Sequence, residues 1–167
     1  IYHAPGGSVR HPVSSEVMKP TPLAATPLNI PAGTDPRETL AEWLLTPENP
    51  FLARAMANRV WGQFLGRGIV HPVDDFRATN PPVNPELLDA LAADFAGHDF
   101  DLRHLMRRIM NSRLYQLSSL PNKTNVQDTS SFSRFYRRRI SAENLHDILV
   151  QVSGVESGFN NLRRDAR

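Results

Sequence analysis

The sequence predicts a mainly α-helical domain of about five helices, joined by long proline-rich loops and preceded by an extended arm. Two observations carry this expectation. Apolar residues recur at three- and four-residue spacing in five separate stretches, the mark of helices with one buried face. Each stretch opens on Asp, Asn or Ser, and in three of them (Asp35-Pro36, Asn49-Pro50, Asn84-Pro85) a proline follows at the first helical position. There the capping side chain accepts a free amide and the missing proline N–H costs nothing.

At 167 residues the chain is long enough for one domain with a core, although 40% hydrophobic residues and 14 prolines indicate much irregular backbone. No apolar run is long enough to span a membrane. Ile1 is neither an initiator methionine nor the start of a signal-like segment, so the chain is expected to be part of something longer. Cysteine is absent, which excludes disulfides and thiolate metal sites and leaves the redox compartment open. The formal charge is +2, and Lys19 and Lys123 are the only lysines among the cations. Arginine favours planar, bidentate partners, so this balance points to internal ion-pair networks at least as much as to a nucleic-acid surface.

Residues 1–33 lack helical periodicity and are expected to form an arm or linker, with a short hairpin around Gly6-Gly7. Val13, Val17, Leu23, Leu28 and Ile30 would let it lie along the helical body. The helical domain is placed at 34–155 and a frayed tail at 156–167. Asp35-Pro36-Arg37-Glu38 opens the first helix with a capping-box glutamate, and Leu40, Trp43 and Leu44 form its buried stripe before Pro47 stops it. Asn49 caps the second helix, in which Phe51, Leu52, Ala55, Met56, Val60 and Phe64 form the buried face and Asn58, Arg59 and Trp61 its margin. Gly66 and Gly68 supply positive φ to end it, Ile69 and Val70 re-enter the core, and His71-Pro72 exits extended.

The third helix runs from Asn84 with Leu87, Leu88, Leu91 and Phe95 inward and Gly97 at its C′ position. Asp101 caps the fourth, whose stripe is Leu102, Leu105, Met106, Ile109, Met110 and Leu114. Its other face carries Arg103, His104, Arg107, Arg108 and Arg113, a solvated face first and a polyanion strip second. A polar loop follows from Ser118, and then Phe132 to Arg139 interleaves aromatics with arginines. That pattern suits clamping of helices better than stacking on bases. Ser141 caps the fifth helix, with Leu145, Ile148, Leu149 and Val152 as its apolar face and Gly154 at its end.

Chemistry-bearing groups concentrate at two places. Arg54, Arg59 and Arg67 stand close in sequence to Asp74 and Asp75, and Arg138 and Arg139 to Glu143. The favoured reading of all eight is structural ion pairing, buried or half-buried, that locks helices together. The rival reading is a cleft for a sugar or metal lined by Trp61, Asp74, Asp75 and Tyr115. Glu143-x-x-His146 has di-iron spacing and Asp101-x-x-His104 is a weaker echo, but one true pair falls short of such a site. No HExxH, P-loop, GxGxxG or GxSxG pattern occurs, and no catalytic, cofactor-binding or metal residue is assigned.

Several motifs, in order, resemble a known family. They are Asp35-Pro36-Arg37-Glu38-Thr39-Leu40-Ala41-Glu42-Trp43-Leu44, Asn49-Pro50-Phe51, Asn58-Arg59-Val60-Trp61 and Gly66-Arg67-Gly68-Ile69-Val70. Asp74-Asp75-Phe76-Arg77, Asn84-Pro85-Glu86-Leu87-Leu88, Ser112-Arg113-Leu114-Tyr115 and Arg138-Arg139-Ile140-Ser141-Ala142-Glu143 continue the series. Together they resemble the PSD1-like domain of unknown function found C-terminally in large planctomycete-type proteins, many of which also carry cytochrome-c-like domains. The resemblance covers about Thr34 to Gly154 and implies an exported, periplasmic or cell-envelope setting. It implies haem only in a separate domain of the parent protein, since no Cys-x-x-Cys-His is present here. The resemblance also implies a domain that normally continues past the last helix, and it brings no catalytic residues.

The expectation is therefore a structural or interaction module of a larger exported multidomain protein, with other domains of the same parent chain as partners. Carbohydrate binding or processing around Trp61, Asp74 and Asp75 is the alternative. Arginine-mediated binding of nucleic acid or another polyanion is a second.

Overall fold

The computed structural model describes residues 7–24, 26–31, 33–46 and 49–155. Expectations resting on Gly6, on Pro47 and on the tail 156–167 lie outside the described residues. The chain is mainly α-helical, with five helices and one two-stranded sheet among the described residues. It divides into two compact units, Ile1–Phe135 and Tyr136–Arg167.

The first unit begins with β1 (Val9–Arg10) and β2 (Val17–Met18), antiparallel, with Val9 opposite Met18 and Arg10 opposite Val17. The connection runs through residues 11–16. His11 organises it: its Nδ1 accepts from the amides of Val13 and Ser14, while its carbonyl accepts from Ser15 N–H. Val13, Val17 and Leu23 are exposed, and of the apolar residues expected to lie along the body only Leu28 and Ile30 are half-buried.

Helix α1 (Pro36–Leu44) starts as its sequence dictates, with the Asp35 carboxylate accepting from Arg37 N–H. It has no fully buried residue, and Leu40 is exposed rather than part of a buried stripe. Trp43 is half-buried and leans on Phe51 at a ring distance of 6.2 Å. Asn49 joins the two helices: its Oδ1 accepts from Phe51 and Leu52 N–H, and its Nδ2 donates to Trp43 O at 3.1 Å.

Helix α2 (Pro50–Leu65) packs against both α3 (Pro85–Gly97) and α4 (Leu102–Met110), and α3 packs on α4. Its buried face is Ala53, Ala57, Asn58, Val60, Trp61 and Leu65. That is a rotation from the expected face: Phe51 is exposed, and Leu52, Ala55, Met56 and Phe64 are only half-buried. A hydrophobicity pattern weights large apolar residues, whereas this face buries two alanines and an amide that are fully satisfied by their surroundings. Leu88 and Phe95 from α3, Leu105 and Ile109 from α4, and Ile69 and Val70 complete the core. Leu102 and Met110, at the two ends of the α4 stripe, are exposed.

Gly66 ends α2 in the left-handed region (φ 79°), its N–H bonding Gly62 O. At the end of α3 the left-handed residues are Asp99 (φ 52°) and Phe100 (φ 56°), while Gly97 stays within the helix. Phe100 is held there edge-on against Phe95, with centroids 5.3 Å apart. Ring packing thus stabilises a backbone shape that the sequence assigns to glycine.

Loop 111–135 is organised by Asp128, whose carboxylate accepts from the amides of Ser130, Ser131 and Ser133 and from the Ser133 hydroxyl. It places Phe132 in the core, edge-on to Trp61 at 5.4 Å. In the second unit, α5 (Ala142–Ser153) is capped by Ser141 and has no buried residue. Leu145, Ile148, Leu149 and Val152, expected inward, are all exposed. No helix among the described residues is long and apolar enough to cross a membrane.

Candidate functional site

Two corners gather polar side chains. The first follows α2. Asn58 is fully buried; its Nδ2 donates to Val70 O (2.9 Å) and Val73 O (2.7 Å), and its Oδ1 accepts from Val70 N–H (2.9 Å). One amide thereby satisfies three backbone groups of a loop that has no regular ladder of its own. Gly68 is required here by close approach and not by a positive φ. A Cβ on it would stand 2.2 Å from Val70 O and 3.0 Å from the Asn58 amide atoms. The His71-Pro72 peptide is cis, and Asn80 Nδ2 fastens the far side of the loop to Asp75 O at 2.8 Å.

None of the charged candidates takes part in the bonds of this latch. Arg59 Nη2 donates to Asp74 Oδ1 at 2.7 Å, with the two side chains 56% and 69% exposed, so the pair is solvated rather than buried. Asp75 takes a bidentate partner two residues away, Arg77 (2.6 and 2.7 Å), and not an arginine of α2. That hydrogen bonding holds the Asp75 carboxyl below its ordinary range. Arg54 Nε lies 3.0 Å from Asp89 Oδ1 on α3, at ion-pair distance but outside hydrogen-bond geometry. Arg67 is half-buried, and its Nε has no hydrogen-bond partner among the described residues. In the second unit Arg138, Arg139 and Glu143 are exposed. The Glu143 carboxyl is lowered first by its own backbone N–H and then by the Ser141 hydroxyl.

Of the two aromatic cleft candidates, one is buried and the other half-buried. Trp61 is 2% exposed, a core residue. Tyr115 is half-buried between Phe64 (6.1 Å) and Phe135 (5.6 Å), edge-on to both. A sugar needs an open ring to stack on, so Trp61 is removed from any such cleft and Asp74 and Asp75 stand without it.

The second corner lies where α3 turns into α4, and sequence reasoning missed it. Asp94 and His98 are one turn apart at the end of α3, and His104 comes from the first turn of α4. His104 Nε2 lies 2.8 Å from Asp94 Oδ2, and His98 Nδ1 lies 3.6 Å from Asp94 Oδ1 and 2.7 Å from Asp94 O. The two imidazoles stack with centroids 3.7 Å apart and planes at 14°. Arg108 Nε, 3.5 Å from Asp94 Oδ2, is the third basic side chain around this one carboxylate. Burial pushes the Asp94 carboxyl up. The His104 hydrogen bond and the charges of His104, Arg108 and His98 outweigh that and bring it below its ordinary range. A signal existed in the i, i+4 pair Asp94-x-x-x-His98, but the sequence reading paired His104 with Asp101. Asp101 instead caps α4 through Arg103 N–H at 2.8 Å.

Nothing among curated proteins and nothing among solved structures matches the chain. The family model of PSD1, described as a protein of unknown function (DUF1553), matches residues 36–160. That span begins at the first residue of α1 and contains both corners, and with most of its length so matched the chain belongs to the PSD1 family.

Proposed function

We propose that this chain is a structural and interaction module of a larger exported multidomain protein, working against other domains of the same parent chain. The observation that carries this reading is the Asn58 latch. The most conspicuous polar residue of the Asn58-Arg59-Val60-Trp61 motif is fully buried and bonded to backbone, with Gly68 shaped around it. Asp35, Asn49 and Asn84, from other motifs of the same series, are helix caps, and Trp61 is core. Residues that maintain a shape suit a module whose product is a surface. The setting proposed is the periplasm or cell envelope, with haem chemistry carried by a separate domain of the parent protein.

The surface on offer has two parts, one in each unit. On α4, Arg103, Arg107 and Arg108 are exposed. On α5, Leu145, Ile148 and Leu149 are exposed. Titrating this chain calorimetrically with separately produced domains of the parent protein is the test. At least one should bind with a Kd of about 10 μM or tighter, equivalent to about −7 kcal/mol, and Leu149→Ser or Arg107→Ala should weaken it. Failure of every parent domain to bind would overturn the proposal.

A further inference from the structure

We propose that Asp94, His98 and His104 form a site for one divalent transition-metal ion of the zinc class, held by two imidazoles and one carboxylate. This goes beyond the scaffold reading and does not rest on it. One nitrogen from each histidine and one carboxylate oxygen of Asp94 all lie within 4.8 Å of one another, from two helices whose packing fixes them. Ligands of a bound first-row ion sit about 2.0–2.2 Å from it, and an imidazole lone pair lies in its ring plane, so the two stacked rings have to turn apart about their side-chain torsions for both to face one ion. In a chain without cysteine, imidazole and carboxylate are the donors on hand, and imidazole is the donor that suits zinc, copper and nickel over magnesium or calcium.

The hydrogen bonds already present prepare the ligands. A carbonyl oxygen only accepts, so the 2.7 Å contact of His98 Nδ1 with Asp94 O makes Nδ1 the protonated nitrogen and leaves the Nε2 lone pair available. Ligating histidines are oriented by just such a bond from the other ring nitrogen. His104 Nε2 and Asp94 Oδ2 are at hydrogen-bond distance, 2.8 Å, and an ion between them would keep the two groups neighbours. Access is open. His98 is 50% exposed, and His104 also lines a pocket of about 380 Å³ shared with Arg107, Arg108, Asn111 and Ser112. Three protein ligands leave a position for water or a small anion, the arrangement of an open and not a closed zinc site.

Arg108 is the competitor. Its guanidinium partly neutralises Asp94, and its exposed side chain is free to swing away when an ion arrives. The site therefore makes two opposite predictions. His98→Ala removes a ligand without disturbing the core, and should weaken binding by about tenfold or more, the size of effect that even indirect ligand support produces. Arg108→Gln removes the competing charge and should tighten binding severalfold.

The experiment is calorimetric titration of tag-free full chain with Zn²⁺, accompanied by electron paramagnetic resonance of the Cu²⁺ form. Wild type should take up about one equivalent, with superhyperfine coupling to two imidazole nitrogens that falls to one in His98→Ala. Circular dichroism of the metal-free variants, matching wild type, separates ligand loss from unfolding. Absence of stoichiometric Zn²⁺ uptake by folded wild type overturns the proposal. So does uptake that His98→Ala leaves unchanged, which would place the ion on another of the chain's six histidines.

Discussion

The corner after α2 and the corner between α3 and α4 are both built from polar side chains, and they use them in opposite ways. At the first, an uncharged amide is taken wholly out of water, and each of its bonds ends on backbone. At the second, a carboxylate, two imidazoles and a guanidinium bond mainly to one another, half in solvent. A neutral amide can be buried at small cost if every donor and acceptor is met, and it then specifies one loop shape. Ionisable groups left half-exposed specify less shape and retain chemical capacity, since their protons can be exchanged for other cations. The difference separates a residue that maintains the fold from residues able to bind something.

The largest effect expected from breaking this contrast lies at the first corner. Asn58→Ala strands Val70 N–H, Val70 O and Val73 O, each costing about 1–3 kcal/mol when left unpaired. Even with partial relaxation the loss should reach about 3 kcal/mol, lowering Tm by roughly 10 °C. Gly68→Ala should be comparable, because its new Cβ meets a backbone carbonyl that cannot move without opening the same latch. Thermal denaturation followed by circular dichroism measures both. A shift of only a degree or two in either would show that the loop is held by something else.

At the second corner His104→Ala should cost less than Asn58→Ala but more than His98→Ala. His104 is the more enclosed and bridges α3 to α4 through Asp94, whereas His98 bonds only within its own turn. Equal melting temperatures for the two histidine variants would remove the bridge between helices from the account.

Why one corner could be anticipated in outline and the other could not follows from sequence distance. The five helices and their caps were readable because each signal is local: Asp35, Asn49, Asn84, Asp101 and Ser141 each bond an amide two or three residues ahead. The faces were less readable. Burial of Ala53, Ala57 and Asn58 is decided by what packs on α2, and no periodicity of large apolar residues reports that. Gly68 was recognised as a corner residue for the wrong cause, since the approach of Val70 O depends on a loop several residues long. The Asp94 cluster was missed because α4 turns back on α3 through two left-handed non-glycine residues, Asp99 and Phe100. Nothing local announces that His104 returns to Asp94. The open apolar face of α5 is the converse case: a regular stripe shows that a helix has a face, not that the face is covered.

Acid sharpens the comparison within loop 111–135. Four hydrogen bonds hold the Asp128 carboxyl far below its ordinary range, the Ser133 hydroxyl contributing most. A carboxyl lowered in the folded state stabilises fully above its unfolded value of about 3.9, and that contribution is lost as pH falls below it toward the folded value. Between about pH 4 and pH 2, Tm of the wild type should therefore fall more steeply than that of Asp128→Asn. Asn58, carrying no charge, contributes nothing to that slope, so Asn58→Ala should lower the whole curve without changing its shape in this window.

The smallest effect belongs to the pair that looks most like a lock on paper. Arg59 and Asp74 are 15 residues apart, from a helix and a loop, and they meet at 2.7 Å in good geometry. Both remain more than half exposed, so water and salt screen their attraction and two long side chains are ordered to make it. A double-mutant cycle of Arg59→Ala and Asp74→Ala should give a coupling below about 1 kcal/mol, shrinking further in 0.5 M salt. A coupling of several kcal/mol, insensitive to salt, would mean that the pair is drier than it stands here and that charge as well as amide fastens the corner. A weak, salt-sensitive one leaves Asn58 as the latch and the ion pair as its solvated neighbour, with Arg59 then available to a partner at little cost to the fold.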